Sequence, residues 1–399
     1  MHLPNLILSF LSFPLLAESR YLMYLTGQHQ TVPSPDLVSE ITHVAIAFMP
    51  SSFFNRDQKA KAKANSPSDL DVESDTGFPL WTSVAEVRGK FREGTKIMVA
   101  IGGWGDTVGF EEAARTEEGR VRWAGNVGRM VEESGADGVD IDWEYPGGNG
   151  EDYKRIPNSS RAWEIDAYPL LLSALRRTLG PHKLISAAVP GLPRDMLAFT
   201  PTTVPLIDAS LDFWNIMTYD LMNRRDNTTK HHTGIAASSV AVDAYLARGV
   251  PARKANLGFA FYVKWFRTRG CGENAVGCET VLLEDPETGA DLGGAGAFSW
   301  DDEVPGDVEG SFGRALEDGR WDEEGGGWYY WDAEERLWWT WDTETVIGKK
   351  VPGVVREKAL GGVFAWGLGE DGPRWERLEA LTRGYREWKG GHGMVKNEL

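Results

Sequence analysis

The chain has 399 residues, of which 42% are hydrophobic and 25% are charged, enough to bury the core of one barrel-sized domain or of two ordinary domains. This composition argues against a disordered protein. The formal net charge of −17 repels a phosphate backbone, so the sequence predicts that nucleic acid is not a partner.

Residues 1–17 form an apolar run that is too short to span a bilayer comfortably and ends in a small residue. The run predicts a signal peptide and therefore a secreted protein, although the usual basic residue near its start is missing. No other segment is long and apolar enough to predict a membrane helix, so no membrane partner is expected.

Eight short apolar runs, separated by loops and by stretches with helical spacing, are the predicted strands. They are Tyr21–Tyr24, Thr42–Phe48, Lys96–Ile101, Gly138–Trp143, Leu184–Ala188, Phe213–Thr218, Ala255–Phe261 and Gly361–Trp366. Helical spacing is clearest in Arg120–Ser134 and Arg161–Leu179, each of which is followed by a glycine. The alternation predicts an α/β fold, a (β/α)₈ TIM barrel over residues 18–390 with its chemistry at the C-terminal strand ends. The polar segment 57–76 is predicted to be a long loop.

The fourth predicted strand is unusually acidic. Its alternate residues Asp140, Asp142 and Glu144 share one face, and the apolar residues between them face the other way. Because the apolar face suits the helix layer, we expect the three acids to point into the barrel. Neighbouring buried acids raise one another's pKa, which keeps a proton on Glu144 at the barrel mouth and favours general acid catalysis.

Other chemistries fit this strand less well. Oxygen ligands suit Mg²⁺ or Ca²⁺, but alternate residues of one strand converge poorly on a single ion. The adjacent His231 and His232 also rarely bind one ion together, and a solvated loop is predicted there. We therefore predict neither a metal nor a cofactor.

Residues 267–341 interrupt the alternating pattern and are predicted to be a small insertion between strand seven and helix seven. The only two cysteines, Cys271 and Cys278, lie there and are predicted to form a disulfide. Five tryptophans of this segment are predicted to be mainly insertion core, with at most one or two reaching a cleft. They are Trp328, Trp331, Trp338, Trp339 and Trp341.

The C-terminal tail, residues 391–399, ends in Lys-Asn-Glu-Leu. These four residues resemble the Lys-Asp-Glu-Leu retention signal, so the lumen of the endoplasmic reticulum is the alternative to secretion. Asn158 and Asn227 begin possible N-glycosylation sequons.

The acidic strand, Asp137-Gly-Val-Asp-Ile-Asp-Trp-Glu-Tyr-Pro146, resembles the DxxDxDxE signature of family 18 glycoside hydrolases, the chitinase family. The resemblance covers about residues 20–388. Lys96–Trp104 is similar to the family's SxGG motif, with Ala100 in place of the usual Ser, and Asn215–Asp220 is similar to its MxYD motif. Gly361–Trp366 is similar to the end of its eighth strand. The insertion resembles the α+β insertion of the deep-cleft chitinases.

The resemblance implies a chitinase that cleaves β-1,4 linkages between N-acetylglucosamine units by substrate assistance. Glu144 would protonate the glycosidic oxygen, and the acetamido carbonyl of the substrate would attack the anomeric carbon with overall retention. Asp142 would orient the acetamido group, and Asp140 would influence the protonation of Asp142. Tyr219 would hydrogen-bond the acetamido carbonyl. Chitin or its oligomers would be the binding partner. The chain itself is expected to be a monomer.

The resemblance also implies a set of substrate-binding residues. Trp366 would form the floor under the sugar at the cleavage point, and Met217 and Asp220 would shape the acetamido pocket. The remaining members of the set would line the cleft: Tyr24, Phe48, Gly103, Trp104, Tyr145 and Tyr262.

Two other functions remain compatible with the same motifs. An endo-β-N-acetylglucosaminidase that acts on N-glycans would use the same mechanism. A chitin-binding lectin would lack catalysis, but such proteins typically lose the acid, and Glu144 is present here with both aspartates.

Overall fold

The computed structural model describes residues 19–56, 77–272 and 275–394, without the side chains of residues 391–394. The predicted signal peptide, the predicted loop 57–76 and the Lys-Asn-Glu-Leu tail lie outside these residues. Within them, no helix is long and apolar enough to cross a membrane.

Eight parallel strands close into a barrel in the order β1-β13-β7-β6-β5-β4-β3-β2, which confirms the predicted TIM barrel. They are β1 (Arg20–Thr26), β2 (His43–Met49), β3 (Lys96–Gly102), β4 (Gly138–Asp142), β5 (Leu184–Pro190), β6 (Phe213–Met217), β7 (Ala255–Ala260) and β13 (Gly362–Trp366). Each overlaps its predicted apolar run.

The acidic strand β4 alternates as its sequence indicates. Asp140 and Asp142 are buried in the barrel interior, while Val139, Ile141 and Trp143 belong to the core between strands and helices. The Trp143 ring stacks on Phe110 with centroids 5.2 Å apart. Full burial of such a large apolar side chain stabilises the fold by roughly 2–3 kcal/mol, so the strand cannot be turned over without exposing its apolar face.

Nine α-helices lie in the described residues. They are α1 (Val84–Arg88), α2 (Val108–Arg115), α3 (Glu117–Ser134), α4 (Trp163–Leu179), α5 (Val204–Asp208), α6 (Ile235–Leu246), α7 (Glu309–Asp318), α8 (Glu344–Lys350) and α9 (Glu376–Met394). The side chain of Thr116 caps α3 by accepting from the Gly119 N–H, and α3 ends at Gly135 with φ of 72°. Glycine adopts this left-handed conformation without steric cost, so the predicted helix stop is confirmed.

The insertion forms a five-stranded antiparallel sheet in the order β10-β11-β12-β8-β9. Its strands are β8 (Tyr262–Arg267), β9 (Ala295–Ser299), β10 (Arg320–Asp322), β11 (Gly327–Asp332) and β12 (Leu337–Trp341). The predicted start at residue 267 was too late, because β8 follows β7 after a single residue and pairs with β12 and β9. Cys271 and Cys278 form the predicted disulfide.

The insertion has its own core, and helix α7 packs against the sheet. Trp339 and Trp341 pack with Val263 and Phe312 in this core. None of the five predicted insertion tryptophans lines the cleft described below. Their flat rings fill the space between the sheet and α7 or stack on the sheet's other face.

Candidate active site

A cleft of about 600 Å³ opens at the C-terminal ends of the barrel strands, beside the insertion sheet. Asp142 and Glu144 line it, together with Met217, Tyr219 and Trp366. These residues end or directly follow β4, β6 and β13, whose C-terminal ends parallel pairing brings to the same end of the barrel. Most of the predicted site residues therefore meet in one cleft.

Asp140 lies beneath the cleft, fully buried inside the barrel. Its carboxylate accepts hydrogen bonds from Tyr24 Oη at 2.6 Å, Ser186 Oγ at 2.5 Å and Asn215 Nδ2 at 3.1 Å. Burial raises the pKa of Asp140, and these three donors lower it in part. Ala100 is the register neighbour of Asp140 on β3, and Ser186 is its neighbour on β5. A hydroxyl donor to Asp140 therefore comes from β5, on the side opposite Ala100.

Asp142 is buried one step nearer the cleft. Burial raises its pKa well above the ordinary range, and the negative charges of Glu144 and Asp140 raise it further. Within the described part of the chain, Asp142 Oδ1 has no hydrogen-bond partner. A buried acceptor of this kind is costly unless a ligand satisfies it.

Glu144 is half-buried at the cleft surface. Burial raises the pKa of its carboxyl to about 8, with further contributions from the negative charges of Asp220 and Asp195, whereas a hydrogen bond with Tyr145 lowers it. At neutral pH the carboxyl therefore holds a proton that it can donate to a bound group.

Met217 is the last residue of β6, Tyr219 follows it by two positions, and both are buried beside the cleft. Burial raises the pKa of the Tyr219 phenol well above its ordinary value, so the hydroxyl stays neutral and can donate. Gly258 allows the ring to sit there, because a Cβ at that position would lie 2.9 Å from Tyr219 Cε1. A thioether and a phenol together make a small pocket with an apolar side and a donor.

Asp220 is held in place by two residues of the insertion strand β8. Tyr262 Oη donates to Asp220 Oδ1 at 2.7 Å, and Lys264 Nζ donates to the same oxygen at 2.9 Å. Its backbone has φ of 53°, a conformation in which aspartate is several-fold enriched. Lys264 was missed in the sequence because nothing in a single strand indicates which residue of another element it will contact.

Aromatic rings form the floor and one side of the cleft. Trp366 stacks on Phe48 with centroids 5.5 Å apart and also contacts the ring of Tyr24. Trp104 is 51% exposed, and its ring meets Tyr145 edge to face. An exposed tryptophan at a cleft offers a flat apolar surface to a ligand.

Gly103 and Asp140 are the predicted site residues that do not line the cleft. Gly103 supports it indirectly, because a Cβ at this position would lie 2.8 Å from the Phe48 ring. Its φ of 98° is also one that side chains with a Cβ rarely adopt. Gly103 therefore serves the site by leaving room for Phe48.

The predicted solvated loop at His231 and His232 is wrong, because both side chains are buried. His232 packs on the ring of Tyr262 with centroids 5.3 Å apart, and His231 contacts Asp322 at 2.9 Å. The insertion sheet covers this loop, which the loop's polar composition does not reveal. Over the described ranges, His, Cys, Asp and Glu form no group of three or more that could hold a metal ion.

An eight-stranded α/β barrel with stacked buried acids at its mouth and aromatic rings around them fits a glycoside hydrolase of the TIM-barrel class. The sequence model of the glycosyl hydrolases family 18 matches residues 20–371. The chain therefore belongs to glycosyl hydrolase family 18.

Two curated relatives are fungal enzymes. The chain is 30% identical to Chitinase 1 of Aphanocladium album over 60% of its own length and 59% of that protein. It is 26% identical to Endochitinase 1 of Metarhizium anisopliae over 84% of its length and 76% of that protein. The match thus spans less than two thirds of the Aphanocladium enzyme.

Solved structures share the fold at low sequence identity. A family 18 N-acetylglucosaminidase from Paenibacillus barengoltzii aligns with a TM-score of 0.68 at 23% identity, covering 92% of this chain and 100% of that one. A chitinase from Rhizomucor miehei aligns with a TM-score of 0.67 at 19% identity, covering 92% of this chain and 99% of that one.

Proposed function

We propose that this protein is a chitinase that hydrolyses β-1,4 linkages between N-acetylglucosamine units, with retained stereochemistry. The observation that carries the proposal is the raised pKa of Glu144, about 8, on a carboxyl that lines the same cleft as Asp142. The chitinase names of the fungal relatives support this substrate class.

In the proposed first step, the Glu144 carboxyl donates its proton to the glycosidic oxygen while the bond from that oxygen to the anomeric carbon breaks. The carbonyl oxygen of the substrate's own acetamido group forms a new bond to the anomeric carbon, giving a cyclic oxazolinium ion. In the second step, the Glu144 carboxylate takes a proton from water as the water oxygen attacks the anomeric carbon. The acetamido group is released, and two displacements leave the stereochemistry retained.

The acetamido group would lie between Asp142, Tyr219 and Met217. The unpaired Oδ1 of Asp142 would accept from the amide N–H, and the Tyr219 hydroxyl would donate to the amide carbonyl. The acetamido methyl would contact the Met217 thioether. These contacts would hold the carbonyl oxygen against the anomeric carbon, where a well-oriented neighbouring group gains several orders of magnitude in rate.

The decisive test is Glu144→Gln, assayed on N-acetylglucosamine oligomers of defined length. We expect kcat to fall by about 10²–10⁴ while oligomer binding persists, because the amide keeps the size of the acid but donates no proton to the leaving oxygen. Unchanged turnover would refute the role of Glu144. Binding without turnover in the wild type would identify a lectin instead.

The N-glycan alternative is tested with the same wild-type enzyme. Hydrolysis of a chitin hexamer is compared with release of glycan from a high-mannose glycopeptide at equal concentration. Faster cleavage of the hexamer supports the chitinase, and the opposite order would assign an endo-β-N-acetylglucosaminidase.

Cell fractionation tests the location that we propose, secretion after removal of residues 1–17. A chain truncated before residue 396 is the comparison. Release of only the truncated chain into the medium would favour the lumen of the endoplasmic reticulum. A single mass by light scattering, equal to one chain, is expected for the proposed monomer.

A further inference from the structure

Strand β9, residues Ala295–Ser299, is the last strand of the insertion sheet. One of its edges pairs with β8, and in the described part of the chain no strand pairs with the other. All five of its residues line the same cleft as Asp142 and Trp366. The wall of the cleft is therefore the edge of a β-sheet.

The pairing with β8 decides which backbone groups face the cleft. Arg267 N donates to Gly294 O at 2.7 Å, and Trp300 N donates to Phe261 O at 3.4 Å. In an antiparallel pair, every second residue exchanges hydrogen bonds with its partner and the others point outward. Counting from these two bonds, Ala295 and Ala297 direct their N–H and C=O groups away from β8.

The third outward position is already satisfied, because Ser299 N donates to Asp302 Oδ2 at 2.9 Å. No bulky side chain covers the other two outward positions, Ala295 and Ala297, because this part of the strand has the sequence Ala-Gly-Ala. Gly296, which lies between them, has no room for a side chain, because a Cβ there would lie 2.7 Å from the Trp265 ring. Exposed strand edges are normally protected by charged residues, Pro or bulges, and this one is bare where it borders the cleft.

We propose that the outward edge of β9 binds the oligosaccharide through its backbone, with the N–H and C=O of Ala297 as the central contact. This inference rests on the proposed chitinase function. Each N-acetylglucosamine carries an amide N–H, an amide C=O and hydroxyl groups, so it offers the same paired donor and acceptor that an added strand would offer. Ala297 lies opposite Lys264 in the sheet, and Lys264 holds Asp220. The edge therefore continues directly from the acidic site.

The test replaces the Ala297 amide by an ester, through incorporation of lactic acid at this position. The change removes one outward N–H, keeps the side chain and removes no donor of the β8–β9 ladder. The Gly296 carbonyl stays in that ladder as a weaker ester acceptor, and the effect of weakening the ladder is measured separately by the control below. We expect KM for the N-acetylglucosamine hexamer to rise about five- to tenfold with kcat within about twofold, which is the effect of one lost hydrogen bond to a neutral group. Ala297→Pro is the second variant, since an edge strand tolerates Pro where the N–H faces outward.

The matched control is the same ester at Val263, whose N–H belongs to the β8–β9 ladder. This control should lower the melting temperature and leave KM unchanged. An unchanged KM in both Ala297 variants would overturn the proposal, as would an equal rise in the Val263 ester. Failure of the proposed function has a different signature, because the wild type would then not cleave the hexamer at all.

Discussion

The same carboxyl that would perform the chemistry should destabilise the fold at alkaline pH. The pKa of Glu144 is about 8, compared with an ordinary 4.5, a difference of about 3.5 pH units (8 − 4.5). At 1.36 kcal/mol for each unit, ionising Glu144 in the folded protein costs roughly 5 kcal/mol more than in the unfolded chain. Gln cannot ionise, so Glu144→Gln removes that cost.

The sign of the effect depends on pH. Below about 4.5 the carboxyl is protonated in both states, and the variant gains nothing. As pH rises from 4.5 to 8, the unfolded chain releases the proton and the folded protein retains it, so the wild type loses stability. Above 8 the loss is complete. We therefore expect the melting temperature of Glu144→Gln to exceed that of the wild type by about 5–10 °C at pH 9 and by under about 1 °C at pH 4.5.

Thermal unfolding by circular dichroism between pH 4.5 and 9 measures this difference. Groups that do not interact with Glu144 cancel between the two proteins, whereas Asp142, whose pKa is raised by the charge of Glu144, adds to the difference. Glu132→Gln, on the exposed face of α3, is the matched control and should show no such pH dependence. A gain of equal size at both ends of the range, or no gain at pH 9, would refute the desolvation argument.

The electrostatic and hydrogen-bond partners of the acids allow two further tests. Because the charge of Asp220 raises the pKa of Glu144, Asp220→Asn should move the alkaline limb of the kcat/KM profile toward acid pH, and an unmoved limb would contradict this coupling. Ser186→Ala removes one of three donors to Asp140 and should lower kcat about tenfold. Adding Ala100→Ser should restore much of the lost kcat, because Ala100 flanks Asp140 on the other side and a serine there could donate to it. If the kcat of the double variant is no higher than that of Ser186→Ala, a serine at position 100 does not replace the Ser186 donor.

The local pattern of the chain was enough to predict the barrel strands and the inward direction of the acids. Side chains alternate with a period of two along any strand. Asp140 and Asp142 therefore face away from Val139 and Ile141 in any fold in which this segment is a strand. The stop at Gly135 is local for the same reason, since it depends on the backbone freedom of one residue.

The partners of those acids depend on the register in which strands from distant parts of the sequence pair. No local sequence pattern predicts that register. Ser186 and Asn215 reach Asp140 only because β5 and β6 close into the barrel at a particular register. Lys264 reaches Asp220 only because β8 leaves the barrel after a single residue. These pairings join residues that lie 44 to 75 positions apart in the sequence. Many other residues of the same types lie within that range, so composition alone does not single out the partners.

The sequence by itself determined which residue types occupy the end of each barrel strand, because strand periodicity and the acidic motif are properties of a few consecutive residues. Only the tertiary structure decided that His232 is buried, that the insertion tryptophans stay out of the cleft, and that a bare sheet edge forms its wall. Burial and exposure are set by what packs against a segment, and for these residues the packing partners come from remote parts of the chain.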